Sequence, residues 1–196
     1  SKQDAVSAGK LVGLLAAAPA ATDSLKEVAL ENLVTELKPE SAPPWSAELE
    51  KAFKQLIASE TGNLAGAALP LIVRWDKKNS LGGDLKPRVE RMIARLQDNK
   101  LDDTDRARAA ASLVGVRQLN AEIIPAVAKL LGSSSSAALQ QKIIEALGGV
   151  PDAAIGERLA EAYASLKLEL QPIAFNQMVR RSDWSLELLR VVRDRT

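Results

Sequence analysis

Apolar residues in this chain recur at spacings of three and four rather than two, the period of an amphipathic helix. Leu11, Leu14, Leu15 and Ala18 form the first stripe, and Pro19 closes it because proline cannot continue the hydrogen-bond ladder. Ser24 with Glu27 reads as a capping box ahead of Leu30, Leu33, Val34 and Leu37. Pro39 and the segment 41–44 break the pattern. Ser46 then stands where it caps a third helix, whose stripe is Leu49, Phe53, Leu56 and Ile57. A fourth helix carries Leu64, Ala67, Ala68, Leu71 and Trp75. The stretch 77–84, with its Gly82-Gly83 pair, is expected to be the most flexible loop of the chain. Pro87 suits the first turn of a fifth helix with Val89, Met92, Ile93 and Leu96 on its apolar side.

The second half continues in the same way. Asp102 or Asp103 opens a sixth helix through Ala107, Ala110, Ala111 and Val114, and Asn120 precedes a seventh that ends at Gly132. Ser136 caps a helix carrying Leu139, Ile143, Ile144 and Leu147, which the Gly148-Gly149-Val150-Pro151 signal stops. Asp152 opens the next, with Ile155, Leu159, Ala162, Tyr163 and Leu166. Leu170, Ile173, Ala174 and Met178 follow, then Trp184, Leu188, Val191 and Val192. No strand-like alternation competes. The pattern predicts an all-α fold of about eleven helices, each about 11–17 residues long.

Weak self-similarity organises these helices. Leu139–Leu147 aligns with Leu170–Met178, matching Ile144 to Phe175 and Leu147 to Met178, and Leu113–Val116 resembles Leu147–Val150. A period in the thirties with two helices per unit is the signature of an α–α superhelix, here about five hairpins. Pro70 and Pro125 each precede an apolar run near the expected start of the second helix of a pair, where a missing N–H costs little. This resembles the second helix of HEAT repeats, a HEAT/armadillo-type solenoid. The expected organisation is one HEAT-like repeat domain over residues 1–196, a piece of a larger protein.

Composition agrees. Hydrophobic residues make up 46% and aromatics only 3%, so the apolar fraction is Ala, Leu, Val and Ile, which suits close helix stacking. A formal charge of +1 gives no global field toward nucleic acid or a membrane. With neither Cys nor His, disulfides, thiol nucleophiles and thiolate or imidazole metal sites are excluded, and so is the usual neutral-pH general base. The run Leu11–Ala18 is too short to span a bilayer, and its flanking charges make a poor leader.

The segments Ala164–Gln171, Ala174-Phe175 and Arg180–Leu189, together with Asn63–Trp75, carry a more specific likeness. The region Arg106–Val192 above all resembles the HEAT-repeat region of planctomycete-type proteins described as membrane-bound dehydrogenases with a PVC-type haem-binding domain. The chain departs from that family over 76–87 and at Lys167-Leu168, where a Ser-Pro is common. The resemblance implies a parent that is exported, periplasmic or envelope-associated, with a β-propeller and a c-type cytochrome segment as flanking partners. It puts the haem elsewhere: no Cys-x-x-Cys-His is present, so no cofactor is expected on these residues.

Candidate sites are few. Trp75 and Trp184 fall on apolar stripes and read as core, whereas Trp45 after Pro43-Pro44 reads equally as an exposed interface anchor or as core. Arg88, Arg91 and Arg95 share a helix face and, with Arg106, Arg108 and Arg117, make a basic patch conceivable. The interleaved Glu90, Asp98, Asp102, Asp103 and Asp105 favour a mutually neutralised surface instead. Glu157 with Glu161, and the Asp102–Asp105 cluster, have neither metal-loop spacing nor a catalytic partner, and capping explains the aspartates. The four serines at 133–136 read as a linker between repeats. The expected function is therefore a non-enzymatic protein-interaction or spacer scaffold, with no catalytic, cofactor-binding or metal-ligating residue. The alternative is nucleic-acid binding through a basic face, and a cryptic hydrolase ranks last.

Overall fold

The structure, a computed structural model, describes residues 2–38, 40–59 and 63–193. It is all-α, with 75% of the described residues helical, so the helical period read from the sequence is the right one. Among the described residues there are eleven α-helices: α1 Lys2–Ala17, α2 Asp23–Glu36, α3 Ala47–Ala58, α4 Leu64–Trp75, α5 Gly82–Leu96, α6 Asp103–Gly115, α7 Ile123–Ala128, α8 Ala137–Gly148, α9 Ala153–Ala162, α10 Gln171–Met178 and α11 Ser182–Arg193. Short 3₁₀ turns join several of them.

The chain divides into two compact units, Ser1–Arg91 and Met92–Thr196, with the boundary inside α5. In the first unit α1 packs on α3, α2 on α4, and α3 on α4. In the second, α6 packs on α8, α7 on α9, α8 on α10 and α9 on α11. Helix against second-next helix is the packing rule of an α-solenoid, and it holds in each unit.

Helix starts follow their predicted caps where a short polar side chain is available. Ser46 accepts the Leu49 N–H at 3.2 Å, Asp102 that of Thr104 at 2.7 Å, Ser136 that of Leu139 at 3.1 Å, and Asp152 that of Ala154 at 3.1 Å. The expected capping box at Ser24 does not form. The helix begins two residues earlier than that cap implies, at Asp23 with Thr22 before it, and Glu27 turns inward and is buried.

Four further expectations are corrected. The buried side of α1 is Ala5, Ala8, Val12 and Leu15, and Leu11 and Leu14 face out, so alanine spacing marks the packed face better than leucine. Pro70 sits in the middle of α4, and Pro87 lies well inside α5, which starts already at Gly82. That start is set by Asp76, whose Oδ2 accepts the Leu81 N–H at 2.8 Å while the Leu81 side chain is fully buried. Helices α7 and α10 span only 6 and 8 residues, shorter than the pattern suggests. After α7 the chain tightens into a 3₁₀ turn at Lys129–Leu131. Its last carbonyls are taken by Gln140, which donates to Leu131 O at 2.9 Å and Gly132 O at 2.8 Å.

Candidate functional site

The buried polar groups of this chain sit at the joints between hairpins. In the first unit, Glu27 on α2 accepts the Asn63 N–H at 2.6 Å, satisfying a donor at the start of α4. The adjacent Lys26 is buried and paired with Asp23 at 2.8 Å, and the Ser59 hydroxyl donates loosely to Asp23 at 3.5 Å. At the far end of the same helices, Arg74 donates to Leu37 O at 3.1 Å and Val34 O at 3.2 Å, capping α2, and Trp75 Nε1 donates to Ser41 O at 3.1 Å.

The second unit repeats the arrangement. Arg106 is buried on α6, pairs with Asp103 at 3.2 Å, and donates through Nε to Leu96 O at 3.0 Å, closing the end of α5. The other oxygen of Asp103 accepts the hydroxyl of Ser136, the cap of α8. Thus Asp103-x-x-Arg106 with Ser136 mirrors Asp23-x-x-Lys26 with Ser59: an acid–base pair in a helix's first turn reaches a serine one repeat later. Arg117 donates to Asp152 at 2.7 Å, Trp184 Nε1 to Asp152 O at 3.0 Å, and Gln97 to Ala126 O at 3.0 Å. Apart from the i, i+3 pairs and the Arg106–Leu96 bond, these ties span 29 to 40 residues, the thirty-odd period made visible as hydrogen bonds.

The sequence-named candidates distribute as follows. Trp45 is half-buried, stacked on Phe53 with ring centroids 5.8 Å apart and planes 12° from parallel. Phe53 in turn meets Trp75 edge-on at 5.8 Å. The Trp45 Nε1 is buried and has no hydrogen-bond partner among the described residues. Trp75 and Trp184 are core residues, 2% and 0% exposed. Arg91, Arg95 and Arg108 are exposed and Arg88 is half-buried. Arg106 is not a surface residue at all: its guanidinium is committed to Leu96 and Asp103, so it does not join the others. Asp102 is the α6 cap, and hydrogen bonding from Thr104 holds its carboxyl below the ordinary aspartate range. Glu161 pairs with Arg158 at 2.8 Å on an exposed turn.

Two shallow clefts open on the surface. One of about 360 Å³ lies in the second unit among Pro125, Lys129, Gly132, Arg158, Glu161 and Ser165. One of about 310 Å³ lies in the first, among Val6, Gly9, Lys10, Pro43, Pro44 and Glu48. Neither gathers a set of convergent acid, base or nucleophile groups. No family model, curated protein or solved structure matches the chain.

What sequence reasoning missed are the joint roles of Glu27, expected in a capping box, of Arg117, expected in a basic patch, and of Lys26 and Arg74. For Lys26 the signal was an i, i+3 acid–base pair with Asp23 at a helix start, but the serine that pair reaches lies a whole repeat away and is invisible in a local window. Exposed apolar positions were missed too. Leu14, Leu25 and Val28 in the first unit, and Leu168, Phe175, Val179, Leu186 and Leu189 in the second, all face out. Phe175 departs from its aligned partner here, for Ile144 is fully buried.

Proposed function

We propose that the chain is a non-enzymatic scaffold, a HEAT-type spacer or protein-interaction module that positions neighbouring domains of a larger exported protein. One observation carries this reading. Two of the charged side chains that the fold buries fasten one helix to another: Glu27 on α2 at Asn63, before α4, and Arg106 on α6 at Leu96 of α5. A fold that spends its buried charge on its own joints is built to hold a surface in place. The resemblance to the helical region of planctomycete-type haem-binding proteins supports the same role, with a propeller and a c-type cytochrome as the domains held apart.

The test is capture by crosslinking. The chain is tethered and challenged with the propeller and cytochrome segments of its parent protein, then the linked residues are mapped. Crosslinks concentrated on exposed helix faces are expected; absence of any crosslink to either segment overturns the reading. Nucleic-acid binding through a basic face is less well supported, because Arg106 lies inside and its partners are backbone and carboxylate.

A further inference from the structure

The turn between α4 and α5 is drawn tight by Asp76. Its Oδ2 accepts the Leu81 N–H at 2.8 Å, and its main-chain carbonyl accepts the Asn79 N–H at 3.1 Å. To fit this turn Asn79 takes the left-handed conformation, with φ 55°, the one positive φ of a non-glycine residue among the described residues. Its side-chain amide lies against Gly82, where an added Cβ would meet Asn79 Nδ2 and Oδ1 at 2.6 Å. Asn79 and Ser80 are both exposed. Among the described residues, neither the Asn79 side-chain amide nor the Ser80 backbone N–H has a hydrogen-bond partner.

Asparagine is thermolabile because the backbone nitrogen of the next residue can attack its side-chain carbonyl carbon. The attack needs that nitrogen free of hydrogen bonds, the amide free to swing onto it, a small next residue, and water. Of the six asparagines in the chain, the fold disarms five. Asn32 and Asn176 lie inside α2 and α10, where the next N–H belongs to the helix ladder. Asn63 is buried and is followed by the buried Leu64. Asn120 Oδ1 is occupied by the Glu122 N–H at 2.8 Å. Asn99 is exposed, but the next nitrogen, that of Lys100, donates to Asp98 at 2.9 Å. Asn79 meets every condition.

We propose that Asn79-Ser80 is a site of self-modification, at which Asn79 converts to aspartate and isoaspartate. The Ser80 nitrogen gives its proton to hydroxide and attacks Asn79 Cγ. A C–N bond forms, the Cγ–Nδ2 bond breaks, and ammonia leaves. Water then opens the cyclic imide. Opening at Cγ gives aspartate; opening at the main-chain carbonyl of residue 79 gives isoaspartate, with the chain rerouted through the side chain. Either product adds a negative charge to a chain whose formal charge is +1. The new carboxylate stands just ahead of α5, where the helix dipole favours it. In the isoaspartate form an extra backbone atom enters the loop that Asp76 closes on Leu81.

Ageing the whole chain in warm buffer between about pH 7 and pH 9, followed by peptide mapping with mass spectrometry, tests this. Asn79 is expected to convert at least about tenfold faster than Asn99, and about tenfold faster per pH unit as the reactive amide anion grows. Isoaspartate is expected among its products. Ser80→Val crowds the attacking nitrogen with a β-branch and is expected to slow the conversion several-fold. Asn79→Gly suits the positive φ, keeps the turn, and is expected to lose the acidic species on ion exchange. In urea the other five asparagines are expected to accelerate, whereas the rate at Asn79 changes by less than about tenfold. An Asn79 no faster than Asn99 overturns the proposal, as does a rate indifferent to pH or a product with no isoaspartate. A Ser80→Val chain that ages as fast as the wild type, an Asn79→Gly chain that still accumulates the acidic species, or an Asn79 that the fold protects as it protects the rest, overturns it equally.

Discussion

Single atoms decide several contacts in this protein. A Cβ added at Gly156 would lie 2.4 Å from Cδ1 of Trp184, whose ring is fully buried between α9 and α11. Gly156→Ala is therefore expected to destabilise the chain by about 1–3 kcal/mol despite alanine's better helix propensity. A thermal melt reads this as a fall of about 2–4 °C per kcal/mol. Gly13 has nothing within 4 Å of the same added atom, so Gly13→Ala is expected to raise stability by about 0.5–1 kcal/mol. A matching loss at both sites would show that the close approach to Trp184 is not the cause. The tryptophans make a second contrast. Trp75 Nε1 has a carbonyl partner and Trp45 Nε1 has none among the described residues, so Trp75→Phe is expected to cost about 1 kcal/mol more than Trp45→Phe in urea unfolding. The core places of Trp75 and Trp184 were legible because both lie on apolar stripes. The stacking of Trp45 on Phe53 was not, since Trp45 precedes its helix and belongs to no stripe.

At the scale of the helix, what matters is how each end is closed. Arg106 closes α5 from the first turn of α6, and Arg106→Met strands the Leu96 carbonyl and one oxygen of Asp103. The expected loss is about 1–3 kcal/mol in denaturant unfolding, and lysine, lacking the planar fork, should recover little of it. Asp102 closes the other end of the same joint, and its folded pKa lies below the ordinary value because Thr104 donates to it. A depressed carboxyl stabilises above its unfolded pKa of about 3.9 and loses that contribution as pH falls through the folded value. Asp102→Asn keeps an acceptor without the titration, so its stability should fall less steeply on the acid side; an unchanged acid slope would exclude this group as a source. Helix starts of this kind were legible at Ser46, Asp102, Ser136 and Asp152, though not at Ser24. The packed side of α1 was not, because Ala5 and Ala8 carry little hydrophobic signal beside the exposed Leu11 and Leu14, and only contact with a neighbour decides which stripe is buried. The early start of α5 was hidden for a related reason: Gly82 and Gly83 read as a loop until the Asp76–Leu81 turn is seen to aim them into a helix.

At the scale of the whole chain, stability should be a sum of joints between neighbours. Hydrogen exchange on Gly156→Ala is expected to show faster exchange in α9, α10 and α11 and unchanged protection in α1 to α4. Uniform loss across the chain would show one cooperative block instead. The repeat period was readable from the spacing of apolar segments, and the cross-helix hydrogen bonds carry the same spacing. The division at Arg91 was not readable, because the apolar stripe Leu85, Val89, Met92 and Leu96 runs through it without interruption.

The short span of those fastenings has a consequence for how the protein is made. The longer ties join groups 29 to 40 residues apart, and Arg106 reaches Leu96 across only 10, so forming one requires closing only a modest loop, at little entropic expense. Such a chain has low contact order and should fold quickly. On the ribosome, a newly emerged hairpin already finds its predecessor waiting outside the exit tunnel, and need not wait for the last residue to be added before it docks.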